Sequence, residues 1–497
     1  MTATRGVRAA LLGNYAALAI ALVSQVVLLP LLLGRVGPSV AGTFVLLWSA
    51  VNFAAIGIGW LSSGGVVLMT RAAAEGNETR LAGAYRQFAR IMAGYALAVW
   101  LAMGAWSLGI DALWLKSLSP TDASAIRWAT QGAGAYLVAM YVHQADLALL
   151  TARLQQGRAA LFRVMLQVLM FAGALIGIAA GFGVAGMFAG YAGAAVLTAL
   201  TAHVGVRSRD LPRMPQSDPA DVGSMRGVLG TFAGYSIVSV LAQYSDVAIV
   251  GTLGGPATTI VFAFLQRLPD AAALLVGRGS ESLGPYFTTL VGRGEHAELS
   301  ALFLTSGRVV WRTAVVAGIG FAVFGSELVR WWSRGKLALP SPLYFAGAGV
   351  VIVATIVNRH ASLLAYYGGH TASATRLAAA ELCMRAVVVL ALFSTAQEQA
   401  PMIAALIAQV ALLLVAYRRL ESRILGVTLH HLVDACIKPA AVTGVVTLAL
   451  MLGLRAAGGT QLQGRIIALI LGTVSAVAVL LLQERALGRT FLRRRLA

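Results

Sequence analysis

The sequence predicts an all-α polytopic membrane protein. It reads as about fourteen transmembrane helices, arranged as two pseudo-repeated six-helix lobes plus two C-terminal helices. Three observations predict this. The 497 residues are 59% hydrophobic and only 11% charged, where a soluble globular chain carries roughly 25% charged residues. Apolar runs of about 20 residues, long enough to span a bilayer, fill nearly the whole length. The chain also contains itself twice. Leu12-Gly13-Asn14-Tyr15-Ala16 returns as Leu229-Gly230-Thr231-Phe232-Ala233, and Gly34-x-x-Gly37 returns as Gly251-x-x-Gly254, both at an offset of 217. His143 and His360 keep that offset. Two like halves in a membrane chain predict two lobes with a path between them.

The elements follow in order. Apolar runs start near Ala10, Thr43, Ala89, Arg127, Leu161 and Val184, then near Gly227, Ala257, Leu302, Leu343, Ala374 and Pro401, and finally near His431 and Arg465. The first run follows Arg5 and Arg8 and resembles a signal peptide in outline, but it is long enough to span and is the first copy of the repeat. It is expected to stay uncleaved. Between the sixth and seventh runs, segment 207–226 holds Pro212, Pro215 and Pro219 among charges and reads as a linker with no packed core. The expected organisation is an N-lobe over 1–206, the linker over 207–226, a C-lobe over 227–423, and two extra helices with a basic tail over 424–497.

The net charge of +19 follows the topology rather than a nucleic-acid partner. Roughly two thirds of the 38 Lys and Arg fall in alternate connections and in the Arg493-Arg494-Arg495 tail, which places those segments and both termini in the cytoplasm. Anionic headgroups explain the basic character, so no nucleic acid is expected. The Asn77-Glu78-Thr79 sequon lies in one of these inside loops. Cys383 and Cys436 show neither a disulfide framework nor metal spacing, and both are expected to serve packing. Neither a metal nor a cofactor is predicted. No lysine follows a phosphate-loop glycine pattern, which excludes an ATPase subunit.

Residues 14 to 78 carry a set of features together. These are the polar entry Asn14-Tyr15, the turn Pro30-Leu-Leu-Leu-Gly34-x-x-Gly37, a helix with Trp48 and Asn52, Gly57-x-Gly59, and the exit Arg71-x-x-x-Glu75-Gly76. Tyr244-x-Asp246 running into Gly251 adds a second block. This set resembles the polysaccharide-transporter branch of the multidrug/oligosaccharidyl-lipid/polysaccharide flippase superfamily. The resemblance implies two six-helix lobes facing each other in a V, often with two extra helices, in the bacterial cytoplasmic (inner) membrane. It implies movement of a polyprenyl-diphosphate-linked glycan from the inner to the outer leaflet, in company with glycosyltransferases and a polysaccharide polymerase. It makes coupling to H⁺ or Na⁺ plausible without naming the acid. The drug-exporting branch often carries an Asp in its first helix, and the peptidoglycan-precursor flippases carry basic residues in their first two. The membrane parts of these two helices lack both features.

The expected cargo needs cations for its phosphates and polar or aromatic groups for its sugars. Ionisable residues in spans are costly and mark function by default. The cavity candidates are therefore Arg267 and Arg312, with Arg308 one turn before Arg312, and Arg359-His360 nearer the cytoplasm. Asn14 and Gln25 share a face about three turns apart, and Asn52 joins them as a sugar-contact candidate. Each has a structural alternative. Arg267 and Asp270 are spaced for an ion pair, as are Glu381 and Arg385. Arg308 can snorkel, and the Asn14–Gln25 face can be helix glue. His143 and His360 can be hydrogen-bonded core residues rather than proton carriers. Asp246 has no basic residue at helical spacing in its own run and is the first ion-coupling candidate, Asp270 the second. Trp331-Trp332 reads as an interfacial belt.

No catalytic residue is expected. Membrane polymerases carry a long external loop or a carboxylate pair outside the first helix, whereas the turn here is Gly34-Arg35-Val36-Gly37-Pro38-Ser39.

Overall fold

A computed structural model of the protein describes residues 2–110, 118–209, 222–281, 283, 287, 290–291, 293, 294–367, 370–416, 428–458 and 464. The prolines of the expected linker, the Arg493–Arg495 tail and the run starting near Arg465 lie outside them, as do Lys116, Arg418, Arg419 and Arg423. Among the described residues the secondary structure is helical, with no strand. Nine stretches are long and apolar enough to cross a membrane. Several hold more than one helix, such as Tyr15–Thr70 and Thr371–Val415, so nine counts stretches rather than crossings. The chain forms two compact units, Met1–Ile260 and Val261–Ala497.

The first unit opens with α1 (Thr2–Ala54), which breaks at Gly37, φ 78° and ψ 173°. Pro38 follows and has no N–H to continue the ladder, and only glycine adopts that φ at no steric cost. α2 (Ile56–Ala74) starts after a single turn residue. α3 (Glu78–Ile110), α4 (Pro120–Ala152), α5 (Gln156–Ala179) and α6 (Gly183–Arg209) follow. Asn77 caps α3 by accepting the Arg80 N–H at 2.9 Å, which gives the sequon asparagine a structural role. Leu61, Met69, Phe88, Met92, Tyr141, Leu149 and Val206 form a buried core among α2, α3, α4 and α6.

Helices α5 and α6 approach through matched glycines. Gly173 faces Gly190, and Gly177 faces Gly186. The two pairs stand at a four-residue spacing on both helices, the small-residue pattern that lets membrane helices touch along their backbones.

α7 (Val222–Glu281) contains the second break, at Gly255, φ 77° and ψ 176°, again immediately before a proline. The repeat is therefore real in the backbone but shifted. The glycine equivalent to Gly37 is Gly255, at an offset of 218, and not Gly254 as the sequence pairing has it. One residue is therefore inserted between Gly251 and Gly255. α7 packs against α1 on both sides of the break: before it, Gly251 sits on Leu46 and Ser49 Oγ donates to the Tyr244 carbonyl at 3.3 Å, and just after it the Pro256 carbonyl meets Gly42. The compact units divide five residues beyond this break, whereas the sequence reading sets the linker at 207–226.

The second unit continues with α8 (His296–Trp332), α9 (Pro342–Tyr367), α10 (Thr371–Ala396) and α11 (Ala400–Ala416). After 428 comes a short turn, α12 (Leu429–Leu432), a π-helical segment Val433–Ile437, and α13 (Lys438–Ala457). Gly318 and Gly349 bring α8 and α9 together, each within reach of the other's carbonyl. Met451 of α13 is buried with Val323 and Phe324 of α8. Of the expected aromatic belt only Trp331 is exposed, because Trp332 turns inward onto Phe264 with centroids 4.5 Å apart.

Candidate functional site

The ionisable residues chosen from sequence occupy three different environments. Arg267 and Asp270 lie on the second limb of α7, both half-buried, and Asp270 Oδ1 accepts from Gln266 Nε2 at 2.8 Å. Pro269 lies between them in the helix. Arg359 is half-buried on α9, beside Asn358, whose Nδ2 donates to both the carbonyl and the Oε1 of Gln409 on α11. Gln409 Nε2 in turn donates to Glu381 Oε1 at 2.5 Å, and Arg385 Nη1 donates to that same oxygen at 3.2 Å. Glu381 and Arg385 are thus the structural pair that their spacing allows, extended into a chain across α9, α10 and α11.

Arg308 and Arg312 do something else. They share a face of α8, as their spacing predicts, and that face meets α13. Arg308 Nε donates to the Ala435 carbonyl at 2.8 Å. Ala435 lies in the π-helical segment, and the residue four positions on is Pro439, which has no N–H to return. The guanidinium thus donates to a carbonyl whose α-helical donor position is a proline. Arg312 is only 4% exposed, and its Nε donates to Thr443 Oγ1 at 3.0 Å, while Thr443 donates to the Pro439 carbonyl. At the other end of α13, Arg455 Nη2 donates to the buried Glu327 at 2.7 Å. Arg308 and Arg312 thus form a clasp between α8 and the segment that runs from Ala435 into α13.

His360 is buried, stacked on Phe303 with centroids 5.0 Å apart, and its Nε2 lies 3.3 Å from Ser306 Oγ. Its repeat partner His143 is equally buried, edge-on to Phe162 at 6.3 Å. His360 fits the hydrogen-bonded core alternative, whereas neither ring nitrogen of His143 has a hydrogen-bond partner among the described residues. Asp246 is buried on the first limb of α7, two residues from Tyr244, whose ring meets Phe53 edge-on. Asn52 Nδ2 donates to the Trp48 carbonyl at 2.7 Å, and Trp48 belongs to an aromatic group with Phe44, Tyr136, Phe188 and Tyr191. Gln25 is exposed on α1. Asn14 is helical, and its side chain lies outside the described residues.

Asp146 is absent from the sequence-derived set, although it meets the same criterion as Asp246, an acid inside an apolar run. It is buried, and its Oδ1 accepts from Tyr85 Oη at 2.7 Å. Among the described residues no cluster of three His, Cys, Asp or Glu is placed to hold a metal ion.

No family model matches the chain, and no curated protein does. Solved structures do. The inward-facing multidrug resistance MATE family transporter of the MOP superfamily superposes with a TM-score of 0.68 at 14% identity, covering 83% of this chain and 98% of that one. The lipid II flippase MurJ, in its inward closed conformation, gives 0.69 at 10% identity, covering 95% of this chain and 98% of that one. This chain has the fold of the MOP superfamily transporters. A third MOP superfamily transporter, from Pyrococcus furiosus and described as having a binding pocket of reversed polarity, gives 0.63 at 15% identity over 84% of this chain. All three MOP structures belong to transporters or flippases rather than enzymes, and the long apolar helices agree with a multi-pass membrane protein.

Proposed function

We propose that the protein is a flippase that moves a polyprenyl-diphosphate-linked oligosaccharide from the inner to the outer leaflet of the bacterial cytoplasmic membrane by alternating access. Its termini are cytoplasmic, and its repeats run over 1–206 and 227–423. One observation supports a lipid-linked cargo over a multidrug one. The MATE structure is covered almost completely, yet leaves 17% of this chain unmatched, whereas the flippase structure takes in 95% of it. The chain is thus longer than a multidrug transporter by about the length expected for its extra helices, and a lipid-flipping relative accommodates that length.

Within this reading Arg267 is the leading diphosphate ligand. It is half-buried and is not engaged by the α8–α13 clasp. A guanidinium supplies two parallel donors to a phosphate. Arg359 is the second ligand. Asn52, Gln25 and Asn14 serve the glycan with the Trp48 group, and Asp246 or Asp270 takes the coupling H⁺ or Na⁺. Arg308, Arg312 and His360 are reassigned to packing.

The test is translocation of a fluorescent polyprenyl-diphosphate glycan in proteoliposomes. Arg267→Ala should abolish it, and Arg267→Lys should restore only part, because a point charge replaces a fork. Full transport by Arg267→Ala at normal expression would overturn the assignment. Efflux of an organic cation without any glycan movement would replace the flippase reading by the multidrug one.

A further inference from the structure

The first unit contains a carboxylate whose charged partner can itself titrate. Asp146 sits on α4, with its side chain 1% exposed. Oδ1 accepts from Tyr85 Oη of α3 at 2.7 Å, and Oδ2 lies 3.4 Å from His203 Nδ1 of α6. His203 is 43% exposed, so the imidazole spans from the buried acid to the surface. A phenol satisfies one oxygen of the acid without neutralising its charge. A proton can do that, taken up either by the acid itself or by the imidazole beside it.

The other carboxylate pairs make the contrast. Glu75 is paired with Arg80, Glu78 with Arg153, Glu295 with Arg293, Glu327 with Arg455 and Glu381 with Arg385. All five partners are guanidinium groups, which stay charged. His430 also meets an acid, Asp434, but that site is open to solvent and Lys438 completes it. Among these pairs the most deeply buried acid is therefore matched with a partner whose charge can be switched off.

The remaining neighbours leave this arrangement intact. On α4 itself, His143 precedes Asp146 by three residues, and Gln144 faces Ser62 of α2 at 3.4 Å. Nearer the helix ends, Arg153 is held by Glu78, and Arg158 of α5 by Gln155 and the Gly205 carbonyl. Asp146 and His203 each lie six residues before the end of their helices, α4 and α6, about 9 Å inside.

We propose that Tyr85, Asp146 and His203 form a proton-binding site in the first unit, loaded and emptied through His203 from the face where α4 and α6 end. A proton held between Oδ2 and Nδ1 neutralises the buried acid. Its loss leaves a buried carboxylate with a phenol alone, which favours a rearrangement that rehydrates it. In the flippase reading this site biases the alternation of states, and that consequence alone rests on the reading.

Infrared spectroscopy of the purified protein in lipid, titrated from acid to alkaline pH, tests the site without any cargo. Wild type should show a carboxyl or carboxylate band that changes through the titration and that Asp146→Asn removes, while Asp246→Asn leaves it in place. His203→Gln should move the midpoint of that band by about one pH unit, the scale of one nearby charge. Since His203 is partly exposed, this variant serves where Asp146→Asn fails to fold. A titrating band that survives Asp146→Asn, or a midpoint unmoved by His203→Gln, overturns the proposal. Neither result bears on whether a glycan is carried. A loss of pH-gradient drive in Asp146→Asn proteoliposomes, with glycan binding retained, would extend the proposal to coupling.

Discussion

Arg308 offers the sharpest test of the α8–α13 clasp, because the backbone defect it covers can be repaired separately. Its Nε holds the Ala435 carbonyl, whose helical donor four residues on is lost to Pro439. Arg308→Ala removes a hydrogen bond from a charged donor, which contributes about 1.5–3 kcal/mol. It also leaves a carbonyl short of a partner, at about 1–3 kcal/mol where water cannot reach. The two overlap, so the expected cost is about 3 kcal/mol, or roughly a 150-fold larger local opening equilibrium. Hydrogen exchange on α13 in lipid nanodiscs should rise by about that factor. Pro439→Ala returns an N–H at the right spacing. In that background Arg308→Ala should cost at least about 1 kcal/mol less, because the carbonyl keeps a donor. Equal costs in the two backgrounds would refute the argument that arginine substitutes for the proline's missing N–H. Unchanged exchange on α13 in the single variant would return Arg308 to the list of cargo ligands.

Two further outcomes follow from the backbone. A Cβ built on Gly177 would lie 2.3 Å from the Gly186 carbonyl carbon, and main chain cannot yield as a side chain can, so Gly177→Ala should cost about 1–3 kcal/mol and lower the thermal midpoint in detergent. Gly94→Ala on α3 meets nothing within 4 Å and should be neutral or gain up to about 1 kcal/mol by helix propensity, so equal midpoints for the two variants would refute the close-packing argument. Gly255→Ala places a Cβ at φ 77° and should cost about 1–2 kcal/mol, whereas Gly254→Ala escapes that φ penalty; a larger loss for Gly254 would restore the original repeat register.

Class, repeat and helix order were legible because the bilayer imposes them. Apolar length and charge asymmetry are read by the lipid, not by any neighbouring side chain. The four-residue spacing of Gly173, Gly177, Gly186 and Gly190 went unread, although it stands in the sequence. The fate of the arginines was not. Arg267 and Arg312 look alike in sequence, each a cation in an apolar run, and what separates them is the partner helix. Pro439 lies 131 residues from Arg308, and nothing local joins a proline in one helix to a guanidinium in another. Asp146 was available to the rule that found Asp246. Its meaning depends on Tyr85 and His203, 61 residues before and 57 after, which only packing brings together.

The repeat itself shows what the two halves hold in common. Gly37-Pro38 and Gly255-Pro256 break their helices with nearly equal dihedrals, and α3 and α8 begin at Glu78 and His296, still 218 residues apart. His143 and His360 return to 217, so one residue is given back in between, and both rings nevertheless end buried against phenylalanine. Backbone breaks and core packing are thus preserved through an insertion and a compensating loss. The polar chemistry is not copied with them. The equivalent of the Asp146–His203 pairing is not repeated as a residue pair at either offset, since positions 363 and 364 are leucines and 420 and 421 are Leu and Glu. A duplicated scaffold with unlike buried charges is the asymmetry that the proposed proton site in one half and the proposed cargo site in the other require.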